Sequence, residues 1–112
     1  MTRKIIFHKG YFLDFYRTLD DKVKAKIQHV FELIKQVERV PEKFLAPISG
    51  SDGLFEIRIE YQSKIYRVFC CFDEGRIVVL FNGFQKKTQK TPKEEIERAV
   101  RLKKEYFEFK KL

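Results

Sequence analysis

No stretch of the sequence approaches the roughly 20 consecutive apolar residues that a membrane-spanning helix needs. The apolar part of Met1–Phe7 is too short for a signal peptide, so a cytosolic protein without a membrane partner is expected. There are 2 cysteines, Cys70 and Cys71, and they adjoin. Neighbours on a strand point to opposite faces and a vicinal disulfide is strained, so both read as reduced packing residues. No Cys/His set has metal-ligand spacing, and neither a phosphate-cradling glycine loop nor a Ser/His/Asp pattern can be placed. His8 and His29 stand far apart, and His29 reads as a helix-surface residue. No linker, repeat or low-complexity tract breaks the chain, so residues 1–112 read as a single domain.

What is present is core material and positive charge. Hydrophobic residues make up 44%, including 12 Phe and 5 Tyr, enough for one globular core. Lys and Arg number 24 against 16 acidic residues, a formal charge of +8. Such a balance favours an anionic partner: nucleic acid, an acidic protein or a membrane surface. The positive charge is densest at Lys86–Lys93 and Arg101–Lys111.

The patterning predicts a short first strand at Lys4–Phe7 and helices at Phe12–Leu19 and Asp21–Glu38. In the second helix Val23, Ile27, Val30, Phe31, Ile34 and Val37 recur at spacings of three and four, one apolar stripe, with Asp20 as its N-cap. Glu32 and Glu38 are most simply solvated charges on that helix. The turn cluster Ser49–Gly53 opens three strands. Leu54–Tyr61 alternates, with Phe55, Ile57, Ile59 and Tyr61 on one face and Glu56, Arg58 and Glu60 on the other. Ile65–Phe72 is apolar except for Arg67, and Arg76–Phe84 follows the hairpin signal Asp73-Glu74-Gly75. Thr91-Pro92-Lys93-Glu94 reads as a capping threonine, proline at the first helical position and glutamate at the third. The resulting order is β-α-α-β-β-β-α, an α+β domain with a mostly antiparallel sheet packed by helices.

Two features carry possible chemistry. Gly83–Lys93 holds four lysines and no acid beside a strand end, which suits a phosphate backbone or, equally, a solvated loop. Arg67 is the odd residue of an apolar strand face. It is either half of an ion pair with Glu56 or Glu60 across the hairpin, or a two-donor fork for an oxyanion. Strand pairing can set Arg58 and Arg67 near the strand end where Lys86 and Lys87 follow, so that four cations converge on one concave sheet face.

From Ser51 onward the sequence resembles the RelE/ParE toxin superfamily, specifically its HigB-like or phage Gp49-like branch. The resemblance is carried by Ser51–Arg58, Tyr66–Phe69, the run Leu80–Pro92 and Glu94–Ala99. It implies the RelE-like fold and a toxin of a type II toxin–antitoxin pair. It also implies an endoribonuclease that cuts mRNA on the translating ribosome without a metal or other cofactor and leaves 2′,3′-cyclic phosphate ends. By the same resemblance Arg67, Lys87 and Lys86 are the catalytic candidates, and Arg58, Lys90 and Lys93 bind phosphate. The partner implied is a cognate antitoxin with a helix-turn-helix DNA-binding domain, besides mRNA and the ribosome. Several members carry a histidine or tyrosine as acid or base; no residue here matches it clearly, and Tyr61 and Lys93 are the candidates left. Two alternatives stay open: a ParE-like gyrase inhibitor that binds without cleaving, and a basic nucleic-acid-binding module.

Overall fold

The structure, a computed structural model, describes residues 2–88 and 91–112. The elements run β1 (Lys4–Phe7), α1 (Tyr11–Tyr16), α2 (Asp21–Gln36), β2 (Leu45–Pro47), β3 (Phe55–Tyr61), β4 (Lys64–Asp73), β5 (Ile77–Lys86) and α3 (Lys93–Lys110). One five-stranded sheet forms in the order β1-β5-β4-β3-β2; β1 lies parallel to β5 and every other pairing is antiparallel.

The sheet is covered on both faces. The α2 stripe buries Val23, Ile27, Val30, Phe31 and Ile34 against Ile57, Ile59, Val68, Cys70, Val78 and Leu80, with Phe12 of α1 between. Burying each such side chain stabilises by about 1.5–3 kcal/mol. On the other face Ala99 and Leu102 of α3 meet Leu54, Phe69, Cys71, Val79, Phe81 and Phe84. Asp20 caps α2 as expected, its carboxylate accepting from the Val23 amide at 3.0 Å. The far end of α2 is closed by Arg3. Its guanidinium donates to the carbonyls of Ile34 (3.0 Å), Val37 (2.7 Å) and Glu38 (2.7 Å), groups a helix terminus otherwise leaves unpaired.

The structure departs from the sequence reading at four places. A fifth strand, β2, pairs with Phe55–Ile57; it holds only three residues and ends in Pro47, which an edge strand tolerates. Both α1 and α2 are shorter than the apolar spacing implied. The strand before the basic run does not end at Phe84 but continues to Lys86. Gly83 is where the Phe15 ring lies against the strand: a β-carbon there would sit 2.4 Å from Phe15 Cδ2. Finally, the Thr91 cap does not form. Proline stands at the cap position itself, without a side-chain bond, and α3 starts at Lys93 with the Ile96 amide donating to the Pro92 carbonyl.

One irregularity decides which side chains reach the α3 side of the sheet. Between Val68 and Cys70 the partners on β5 step from Gly83 to Leu80, so Phe81 and Asn82 together oppose Phe69, a β-bulge. A bulge shifts the two-residue alternation by one. Val79 and Phe81 face α3, and beyond the bulge it is Phe84 and Lys86, not Gln85 and Lys87, that share this face.

Candidate functional site

The α3 side of the sheet is only partly covered, because α3 packs chiefly over β4 and β5. Beyond its reach lie two cross-strand rows. In the first, Arg58 of β3 stands directly opposite Arg67 of β4, which in turn pairs with Phe84 of β5. In the second, Glu60, Ile65 and Lys86 are aligned. Residues directly opposite across antiparallel strands project to the same face, so Arg58, Arg67 and Lys86 share one surface. Lys87 follows β5 and is exposed; with Lys86, Ser63, Ile65 and Thr88 it lines a cavity of about 380 Å³.

Like charges directly opposite each other are unfavourable. The fold answers with one carboxylate, Glu56, buried in the row beside them. Arg58 Nε donates to Glu56 Oε2 at 2.8 Å, and Arg67 Nε lies 3.6 Å from the same oxygen. The second distance is an ion pair but not a hydrogen bond, so the Arg67 Nε–H is buried without an acceptor. Arg67 Nη1 donates to the Tyr66 carbonyl at 3.1 Å. Burial pulls the Arg67 pKa down from its ordinary value, Glu56 pushes it back up, and Arg58 pulls it down again. An arginine stays protonated all the same, so the centre is a half-satisfied cation beside a shared carboxylate.

Of the two readings of Arg67, the ion pair is formed, with Glu56 rather than Glu60. Arg67 is only 7% exposed, so an incoming anion meets the half-exposed Arg58 as well as whatever edge of Arg67 it can reach. Lys93 opens α3, is exposed and lies 3.9 Å from Glu97. Lys90 falls outside the described residues. Tyr61 is a correction: it sits on the face of Ile57 and Ile59 and packs against the α1/α2 core, away from the cations.

Sequence reasoning missed two buried polar groups on the α3 side. Asn82, in the bulge, donates through Nδ2 to the Glu95 carbonyl at 3.2 Å and to its carboxylate at 3.0 Å, tying the first turn of α3 to β5. An asparagine interrupting an otherwise apolar strand was the available signal. His8 is the other. Its Nε2 meets Glu105 Oε1 at 2.7 Å inside a ring of Tyr11, Phe81, Tyr106 and Phe109, and Lys9 reaches the same carboxylate at 3.1 Å. Those bonds hold the Glu105 carboxyl below the usual carboxylate range, the His8 bond most. The partners are 97 residues apart, so nothing local pointed to the pair. His29 is exposed on α2, as its spacing implied. Among the described residues no three His, Cys, Asp or Glu side chains gather into a set that could hold a metal ion. No helix among them is long and apolar enough to cross a membrane.

Residues 14–104 match the family model of phage-derived Gp49-like proteins. No curated protein matches the chain. Among solved structures, the crystal structure of the archaeal RelE–RelB complex from Pyrococcus horikoshii OT3 contains a similar fold. The two are 20% identical, with a TM-score of 0.56 over 78% of this chain and 98% of that chain.

Proposed function

The chain belongs to the Gp49-like family, a branch of the RelE/ParE toxin superfamily, and from that premise we propose that this toxin acts as an mRNA endoribonuclease. The observation that carries the reading is the opposed pair Arg58 and Arg67 with Lys86 on the same face. A cationic row held against its own repulsion, with one carboxylate shared between two arginines, is stabilised by an anion entering between its members.

In the proposed reaction the ribose 2′-oxygen bonds to the adjacent phosphorus and the bond from phosphorus to the 5′-oxygen breaks. The 2′-hydroxyl proton departs, the 5′-oxygen is protonated, and a 2′,3′-cyclic phosphate and a 5′-hydroxyl remain. The phosphorane carries more negative charge than the ground state. Arg67 and Lys86, which share one face of the sheet, stabilise that added charge, with Lys87 beside Lys86 at the cavity mouth; Arg58, Lys90 and Lys93 hold flanking phosphates. Cations aimed at charge that develops only in the transition state raise the rate more than they tighten binding.

The RelE-like neighbour was solved as a complex with RelB. We extend this to a cognate antitoxin for this chain, encoded beside it, with acidic or helical segments complementary to the +8 surface and a helix-turn-helix DNA-binding domain. The test is induction in bacteria followed by mapping of mRNA 5′ ends and end-group analysis. New 5′-hydroxyl ends matched by cyclic phosphates support the nuclease. Growth arrest with intact mRNA and inhibited gyrase supports the ParE-like alternative and overturns it.

A further inference from the structure

A second basic cavity adjoins the arginine row on the side away from Lys86. Strand β2 pairs with β3 only as far as Ile57, and the last bond along that edge runs from the Arg58 amide to the Phe44 carbonyl at 2.8 Å. Past that point the edge of β3 is uncovered and α2 stands across from it. The gap is a cavity of about 340 Å³ lined by Lys26 of α2, Lys43, Phe44, Arg58 and Glu60. That size is at the small end of ligand cavities.

Three cations face one carboxylate there, so the cavity selects an anion. It also has an aromatic wall. The Lys43 ammonium lies over the Phe44 ring, 5.0 Å from its centroid, so that face is covered by an exposed, movable side chain rather than packed into the core. Arg58 belongs to both places. Its Nε is bonded to Glu56 inside the arginine row, while its Nη1 donates to the Glu42 carbonyl at 3.3 Å on the cavity side. A ligand in the cavity and a phosphate on the arginine row are therefore neighbours on one guanidinium.

We propose that this cavity is a nucleotide subsite for single-stranded RNA, next to the phosphate that is cut. One base stacks on Phe44 and takes the ring face that Lys43 now covers. Lys43 and Lys26 hold that nucleotide's phosphate. Glu60, an acceptor only, faces a base amino group rather than phosphate. The inference rests on the nuclease reading for what lies beside the subsite, but the cavity is tested by binding alone.

The probe is a labelled single-stranded RNA oligonucleotide made uncleavable by 2′-O-methyl groups, titrated with the full chain by fluorescence anisotropy at several salt concentrations. Lys26→Ala/Lys43→Ala should weaken binding by about 10-fold and flatten the salt slope by about 0.7, the share of one single-strand phosphate. The control Lys22→Ala/Lys111→Ala removes the same charge from sites that do not line the cavity and should change binding by less than about 3-fold. Phe44→Leu, which keeps an apolar side chain against the core, should weaken binding by about 10-fold without changing the salt slope. Equal losses for the cavity pair and the control overturn the subsite, even where cleavage by the wild type is intact. If cleavage is absent but these binding differences hold, the subsite stands and the nuclease reading falls. Wild-type protein that binds no RNA at low salt overturns the subsite and leaves the nuclease reading to the cleavage assay.

Discussion

Gly83→Ala sets two opposite effects against each other, and the packing decides the sign. The Gly83 backbone is not in the left-handed region, so alanine is conformationally allowed. Within a strand the exchange ordinarily stabilises by about 0.5–1 kcal/mol, because alanine has less freedom to lose. Against that, the new β-carbon would stand 2.4 Å from Cδ2, 2.8 Å from Cε2 and 3.1 Å from Cγ of Phe15. The ring cannot simply swing away, since Phe12 and Tyr66 pack around it at 6.5 Å between centroids. Overpacking of this kind costs about 1–3 kcal/mol. The net expectation is a loss of about 1–2 kcal/mol, with Tm lower by roughly 4–8 °C for a domain of this size. Urea unfolding should show a lower midpoint at an unchanged m-value. Phe15→Leu should relieve the strain, so the two substitutions should couple by about 1 kcal/mol or more in a double-mutant cycle. A raised Tm for Gly83→Ala, or strictly additive effects, would mean that the Phe15 ring of α1 does not lie against β5.

The remaining expectations concern stability and reactivity. Asp73 Oδ2 accepts from Lys110 and from the Tyr106 hydroxyl, each at 2.7 Å; Lys110 first and Tyr106 second hold its carboxyl below the usual range. A depressed carboxylate pKa stabilises the fold above the unfolded-state value, about 3.9 for aspartate, and that contribution is lost as pH falls through the folded-state value. Asp73→Asn should therefore lower Tm by a few degrees at pH 7, with the gap from wild type closing toward pH 2; a gap that widens in acid would contradict the sign. Burial pushes the Cys71 thiol up to about 11 and raises Cys70 further, so neither should react with an alkylating reagent at pH 8 until urea unfolds the chain. Thr91→Ala removes no cap and should leave Tm within about 1 °C of wild type, as for surface substitutions generally.

Much of the architecture was legible because it rests on periodicity. The stripe on α2, the Asp20 cap and the in–out alternation of β3 follow from side-chain spacing alone, and each stands where spacing puts it. The ends of elements were less legible because they depend on partners. Asn82 and Glu95 fix the start of α3 through contacts 13 residues apart, which a local cap motif cannot register. The candidate site shows the same division. That Arg58 and Arg67 are neighbours follows from a hairpin whose turn, read from sequence at Gln62–Lys64 and closed in the structure between Tyr61 and Lys64, joins β3 to β4. That Lys86 rather than Lys87 joins their face follows from the bulge at Phe81 and Asn82, and an extra residue in a strand leaves no mark on an apolar run. Glu56 was one of two candidate partners for Arg67 in the sequence; that it also holds Arg58, at 2.8 Å, came only with the strand pairing.

The most direct measurement of the central claim is the rate of mRNA cleavage by the purified protein on translating ribosomes, for wild type, Arg67→Ala, Lys86→Ala and Lys111→Ala. Removing one donor to a developing oxyanion typically costs about 100-fold or more. Arg67→Ala and Lys86→Ala should each lose that much in rate while ribosome affinity changes by less than about 5-fold. Lys111→Ala, at the exposed end of the chain, should match the wild type, and the wild-type products should end in 2′,3′-cyclic phosphate. Full cleavage by folded Arg67→Ala would contradict the claim and leave Arg67 as half of a structural ion pair with Glu56.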